Sequence, residues 1–206
     1  MNVLVACECS GRVREAFRAK GHTVWSCDLL PSEDNSPFHY VGDALDLLSL
    51  GGWDLMIAHP PCTRLANSGV RWLQSPPPGK TVEQMHEALL EGAAFYRTLR
   101  DAKVPRKAIE NPIMHKYARA LIEPGRRQIV QPWYFGDPAF KATGFELIGL
   151  PDLEPTNKLD PPKPGSPEHK NWSECHRASP GPERQRNRSR TYQGVADAMA
   201  AQWSTT

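Results

Sequence analysis

Cys62 follows two prolines, Pro60 and Pro61, which close a short apolar run from Leu55 to Ala58. Proline donates no ladder hydrogen bond, so a strand over that run must stop there and leave the thiol on a stiff turn. At the carboxyl edge of a parallel sheet, where ligands bind, such a thiol is placed for nucleophilic chemistry. Other strand-like runs end in comparable groups. Asn2 to Ala6 opens into Cys7-Glu8-Cys9-Ser10-Gly11, a small-residue turn whose backbone can approach a ligand at the start of a helix. The run from His22 to Cys27 ends at Asp28, about 20 residues on, where a carboxylate takes the ribose hydroxyls of a nucleoside. A third run ends at Gly42-Asp43 and a fifth at Glu110-Asn111. Taken singly, an acid after a strand is more often a helix cap. The order of all five along one sheet is far more specific.

The elements that must hold these groups alternate in type. Strands are expected over Asn2 to Ala6, His22 to Cys27, Phe38 to Val41, Asp54 to Ala58, Lys107 to Glu110, Gln128 to Gln131 and Phe145 to Leu150. Helical spacing marks Arg12 to Lys20, Ala44 to Leu50, Val82 to Arg100 and a stretch near His115 to Ile122. Alternation at this spacing predicts an α/β fold with a doubly wound, mostly parallel sheet. Thr63 to Lys80 reads as a long loop of functional length. Trp133, Tyr134 and Phe135 could stack on a base, but three consecutive aromatics after a strand are more often core. From Pro151 to Pro182 proline, lysine, glutamate and serine dominate, and the segment reads as an extended or poorly ordered arm. A last helix, Val195 to Trp203, is expected to pack Val195, Met199 and Trp203 back on the sheet. The chain thus divides into a catalytic domain, 1–150, a Pro-rich arm, 151–183, and a basic segment with the closing helix, 184–206.

With 206 residues, 39% of them hydrophobic, the chain suits one domain with an appendage. No apolar run approaches the roughly 18 residues of a membrane span, and no signal peptide is expected. Five cysteines, an odd number, favour reduced thiols in a cytoplasmic setting. Cys7 and Cys9 have the wrong spacing for zinc, and His169, Cys175 and His176 are too irregular, so no metal is expected. The net charge is only +2, but Arg184, Arg186, Arg188 and Arg190 alternate along one segment. Such a run is a solvated face or a phosphate contact.

These motifs resemble those of DNA (cytosine-5)-methyltransferases, and most of all the small methyltransferase-like proteins of phages and prophages. The resemblance covers residues 1 to 112 and, loosely, 186 to 203. It implies the Rossmann-like fold of S-adenosylmethionine-dependent methyltransferases in a protein of a bacterial host's cytoplasm. Ala6, Cys7, Glu8 and Gly11 stand at the glycine-rich cofactor loop, Asp28 with Leu29 at the ribose, and Asp43 with Ala44 beside the adenine. Pro60 borders the cofactor, and Pro60-Pro61-Cys62 matches the Pro-Cys nucleophile motif. Glu110-Asn111 matches the Glu-Asn motif that holds the cytosine. For the Gln-Arg-Arg motif, Arg186 and Arg188 compete with Arg126-Arg127-Gln128. Three departures stand out: Gly11 is the sole glycine of the first loop, His59 replaces a small residue, and only the Pro-rich arm of Pro151 to Pro182 stands where a target-recognition domain is expected.

The implied chemistry is addition of Cys62 to C6 of cytosine, which turns C5 into a nucleophile towards a methyl sulfonium. A positive environment or helix dipole is expected to favour the thiolate. Glu110 is expected to protonate or hydrogen-bond N3, and Asn111 to order the loop or bind the base edge. Pro61, Arg64, Asn67, Ser68, Arg186, Arg188 and Arg190 are the expected substrate contacts, with Thr63 to Gly69 closing over the base. Lys141, in Phe140-Lys-Ala-Thr143, ranks behind these and reads as structural. The partner is DNA, as a duplex with a flipped base or as a single strand. An oligomer or a separate recognition partner is compatible with the missing domain. Two rival readings stay open: the same chemistry on a free pyrimidine nucleotide, and a binding module without turnover.

Overall fold

A computed structural model describes residues 1–177 and 188–204. The first strand, β1 (Asn2–Ala6), is an interior strand of a seven-stranded sheet. It is succeeded by α1 (Arg12–Arg18), β2 (Thr23–Asp28), β3 (His39–Val41), α2 (Ala44–Leu50) and β4 (Leu55–Ala58). Beyond them come α3 (Val82–Asp101), β5 (Arg106–Asn111), α4 (Lys116–Ile122), β6 (Arg127–Val130) and β7 (Thr143–Ile148). Two short helices, α5 (Pro167–Trp172) and α6 (Glu174–Arg177), precede the closing helix α7 (Gln193–Trp203).

The strand order is β3-β2-β1-β4-β5-β7-β6. Strands β1 to β5 pair in parallel, whereas β7 runs antiparallel to both β5 and β6. The expected strand-helix alternation is present, and the fold is α/β and Rossmann-like with one reversed strand.

Both faces of the sheet are covered, which is why its strands read as nearly continuous apolar runs. Val3, Val5, Leu55, Ile57 and Ala108 point to the face packed by α1 and α7. Leu4, Ala6, Met56, Ala58 and Ile109 point to the other, under α2, α3 and α4. The closing helix returns as expected: Val195, Met199 and Trp203 are buried, and the indole of Trp203 meets Phe145 edge-on with centroids 6.5 Å apart. The longest helix, α3, begins with a capping box between Thr81 and Gln84, which satisfies backbone groups at its first turn.

Residues 151–177 do not hang free. The Gln128 amide clamps the backbone of buried Leu153 with two bonds, 2.8 and 2.9 Å, and Gln202 does the same for Glu154, with both bonds at 2.8 Å. Asn157 and Leu159 donate to the carbonyls of Tyr134 and Trp133. The short helix α5, capped by Ser166, buries Trp172 beside Phe140. The arm is therefore extended and docked over its first part and helical further on. Composition does not mark either helix, because their turns are too short to show a period. Of the three consecutive aromatics, Phe135 is buried and Trp133 and Tyr134 are half-buried. No helix among the described residues is long and apolar enough to cross a membrane.

Candidate active site

At the carboxyl edge of β4 the ladder continues for one more residue. His59 donates its backbone N–H to the Ala6 carbonyl at 2.9 Å, and Pro60 and Pro61 then end the pairing. The Cys62 carbonyl accepts from both Leu65 and Ala66 at 2.9 Å, so the chain turns back immediately after the thiol. The segment beyond this turn is tied down at several points. Ala66 bridges Met114, Asn67 donates to the Ile113 carbonyl at 2.9 Å, and His115 donates to the Leu65 carbonyl at 3.0 Å. The His115 ring caps α4 by accepting from Ala118 at Nδ1, and its Nε2 bonds the Arg64 carbonyl at 2.7 Å. One neutral tautomer satisfies both contacts. This ladder fixes the stretch after Cys62 to the stretch after Glu110-Asn111. The expected closing loop is thus latched over residues 64–67, and residues 67–73 form a 3₁₀ helix.

The strand register explains which groups meet. Ala58 pairs with Ile109, so the next residues, His59 and Glu110, stand side by side on the α1/α7 face. Together with Lys141, Thr143, Ser189, Thr191 and Tyr192 they line one pocket. Burial raises the Glu110 carboxyl from 4.5 to about 7, against the charges of Lys141 and Arg127. Burial lowers the His59 imidazole to about 3, helped by Lys141. The Cys62 thiol is pushed up to about 11, first by burial and then by Glu110, although Lys141 and Arg188 pull the other way. The expectation of a thiolate-promoting environment is therefore corrected. Desolvation outweighs the nearby cations, and Cys62 is a neutral thiol at rest.

Lys141 is the residue that sequence reasoning set aside. Its ammonium donates to the Arg190 carbonyl at 2.9 Å and keeps further donors for the pocket. Of the two segments that competed for an arginine motif, 126–128 is engaged elsewhere. Arg126 pairs with Asp152, Gln128 holds Leu153, and Arg127 bonds the Asn111 carbonyl at 3.0 Å. Arg188 is half-buried with its charge reaching Cys62, and Arg190 pairs with Glu33 at 2.8 Å. Arg186, like Arg184, lies outside the described residues. Asn111 is completely buried on the other face, and neither atom of its amide has a partner among the described residues. Arg64 is half-buried, while Pro61, Asn67 and Ser68 are exposed.

The other end of the site gathers the strand ends of β1, β2 and β3. Cys7 takes φ of 58°, the left-handed conformation usually left to glycine, and so keeps the turn that a glycine-poor loop would otherwise lose. Its half-buried thiol is raised by burial and by the charges of Cys27, Asp28 and Asp43, which places both carboxylates beside it. Asp28 accepts from the Leu30 N–H, and Leu29 beside it is 76% exposed. Asp43 caps α2, and Ala44 behind it is buried, as are Ala6 and Pro60. Glu8 turns inward. Its carboxyl accepts from Ser10 and from the Val13 N–H of α1, and burial raises its pKa. At Gly11 (φ 74°) a Cβ would strike the Arg14 guanidinium, so this glycine serves the packing of a buried arginine.

No family model matches the chain, and no curated protein matches it in sequence. Solved structures do. A candidate DNA modification methyltransferase encoded within a prophage (E. coli) matches with a TM-score of 0.51 at 16% identity, over 78% of this chain and 52% of its own. An Entamoeba histolytica methyltransferase gives 0.48 at 13% identity, over 77% and 57%. A DNMT2 variant from Spodoptera frugiperda gives 0.44 at 14%, over 78% and 57%. This chain thus spans about half the length of the structures it matches. It shares with the prophage protein its Rossmann-like α/β fold.

Proposed function

We propose that this protein transfers a methyl group from S-adenosylmethionine to C5 of cytosine in DNA, through a covalent adduct of Cys62. One observation carries the reading: a raised carboxyl, Glu110, and an ammonium group, Lys141, face one pocket beside a thiol on a rigid elbow. A pure binding module has no need of that combination. The methyltransferase fold of the prophage-encoded neighbour supports the same reading.

The β1–β3 edge fits the cofactor. Asp28 offers a carboxylate to the ribose hydroxyls, Leu29 an exposed apolar surface to the adenine, and Asp43 and Ala44 the far wall. Ala6, Cys7 and Pro60 border it, while Glu8 and Gly11 shape the turn from behind. When bound there, S-adenosylmethionine supplies an electrophilic methyl group.

The chain's own residues manage one proton and one electron pair. At rest Cys62 is protonated, and Glu110 loses its proton near pH 7. Passing the thiol proton to Glu110 removes the negative charge that opposes the thiolate. It also creates the acid that N3 of the base requires. The Sγ–C6 bond then forms, the C5–C6 π pair moves to C5, and Glu110 protonates N3. Lys141, which can only donate, suits O2 of the base and favours the thiolate through its charge. After C5 has gained its methyl group, H5 leaves to water, its bond pair re-forms the C5–C6 double bond and expels the Cys62 thiolate, and N3 returns its proton to Glu110. Arg188 and Arg64 are the proposed phosphate contacts.

The test is transfer from tritiated S-adenosylmethionine to duplex DNA, single-stranded DNA and dCMP in parallel, with 5-fluorocytosine in DNA to trap Cys62. Label in polymer and a trapped adduct support the proposal. Label in dCMP alone moves the substrate to free nucleotides. Cofactor binding without label anywhere rejects the enzyme.

A further inference from the structure

The sequence departs at His59 from the small residue common at its place, and the structure gives that residue a position in the pocket. Strand alternation turns its ring to the same face as Ile57 and Glu110, into the pocket that Glu110 and Lys141 also line. Its Nε2 is buried and has no hydrogen-bond partner among the described residues. Burial and Lys141 keep the ring neutral, so one of its two nitrogens accepts, and that nitrogen is Nε2 in the tautomer protonated at Nδ1. Buried polar atoms left unpaired in a native fold call for a partner that the protein does not supply.

The edge of a pyrimidine presents three points in a row: O2, N3 and the substituent on C4. Lys141 cannot accept, so it matches O2, and Glu110 as an acid matches N3. We infer that His59 reads the third point, its Nε2 accepting a hydrogen bond from the C4 amino group of cytosine. This makes His59 a specificity-determining residue, and the inference rests on the pyrimidine pocket proposed above. A uracil, with a carbonyl at C4, would meet an acceptor with an acceptor.

The experiment uses the full chain with histidine labelled by ¹⁵N, observed by NMR while dCMP, dUMP, oligo-dC or oligo-dU is added. Deoxyribose 5-phosphate is the control. The expected result is that cytosine ligands shift the His59 Nε2 resonance towards a hydrogen-bonded acceptor and bind about tenfold tighter than uracil ligands. His59→Leu is expected to erase most of that preference, and His59→Gln, whose amide oxygen still accepts, to keep part of it. Because the resonance is read in the wild-type protein, the inference stays testable even where a variant fails to fold. Cytosine binding with an unmoved His59 resonance, or with preference intact in His59→Leu, overturns the inference alone. Absence of binding by every pyrimidine ligand overturns the pocket assignment as well.

Discussion

Glu110→Gln separates the burial of the carboxyl from anything the protein catalyses. Burial raises this group from 4.5 to about 7, so the folded protein holds its proton more tightly than the unfolded chain does. Stability associated with the protonated carboxyl is therefore complete below about 4.5 and is lost as pH rises through 7. A difference of roughly 2.5 pH units corresponds to about 3 kcal/mol at pH 9 and about 1 kcal/mol at pH 5. Glutamine keeps the shape and carries no charge, so it escapes the loss. The expected outcome is that Glu110→Gln gains roughly 2–3 kcal/mol on the wild type between pH 5 and pH 9, or of the order of 5–10 °C in Tm. Urea unfolding followed by tryptophan fluorescence at the two pH values reads this directly, with equal denaturant slopes as the control for an unchanged fold. Titrating groups remote from Glu110 cancel in the comparison, as does any constant penalty of a buried amide; the Cys62 thiol, which Glu110 pushes up, is relieved in the variant and adds to the change in the same direction. A stability difference that does not change with pH would refute the reasoning, because it would mean that the carboxylate is hydrated or paired.

Lys141→Gln removes the cation that restrains both Glu110 and Cys62, so both groups should hold their protons more strongly. The acid limb of the methyl-transfer rate, expected near pH 7 in the wild type, should then move upward; a limb that stays in place refutes the role. Cys62→Ser should abolish transfer and adduct formation while leaving cofactor affinity within about twofold, as measured by calorimetry, since a thiol is exchanged for a hydroxyl at the far end of the site. Asp28→Ala should weaken cofactor binding about tenfold or more by removing a charged acceptor, and unchanged affinity would end the ribose assignment. Trp203→Ala empties the space against Phe145 and loses a bond to the Pro151 carbonyl, and should cost about 3–5 kcal/mol in urea unfolding.

Much of this molecule is legible in the chain before folding is considered. Apolar runs of strand length at Asn2–Ala6 and Leu55–Ala58 announce strands buried on both faces, and Pro60-Pro61 announces where the second must end. The acids after β2 and β3 stand at the edge where ligands bind, because parallel strands bring their carboxyl ends together. These are local properties, set by side-chain alternation and by what proline cannot do.

Three things depend on tertiary structure. The protonation of Cys62 is set by how much water reaches it and by Glu110 beside it, and neither distance nor burial is written in a motif. The latch between the loops after Cys62 and after Asn111 joins segments about 50 residues apart through His115, which in sequence is one more helix cap. Lys141 is the clearest case. In an all-parallel sheet a residue just before a strand lies at the edge opposite the site. Strand β7 runs antiparallel, pairing Glu110 with Phe145 and Asn111 with Gly144. That reversal carries the residues preceding β7 to the carboxyl edge of β5 and sets the ammonium of Lys141 in the pocket with Glu110. Periodicity specifies that a strand exists, whereas its direction is decided only by which neighbours it packs against.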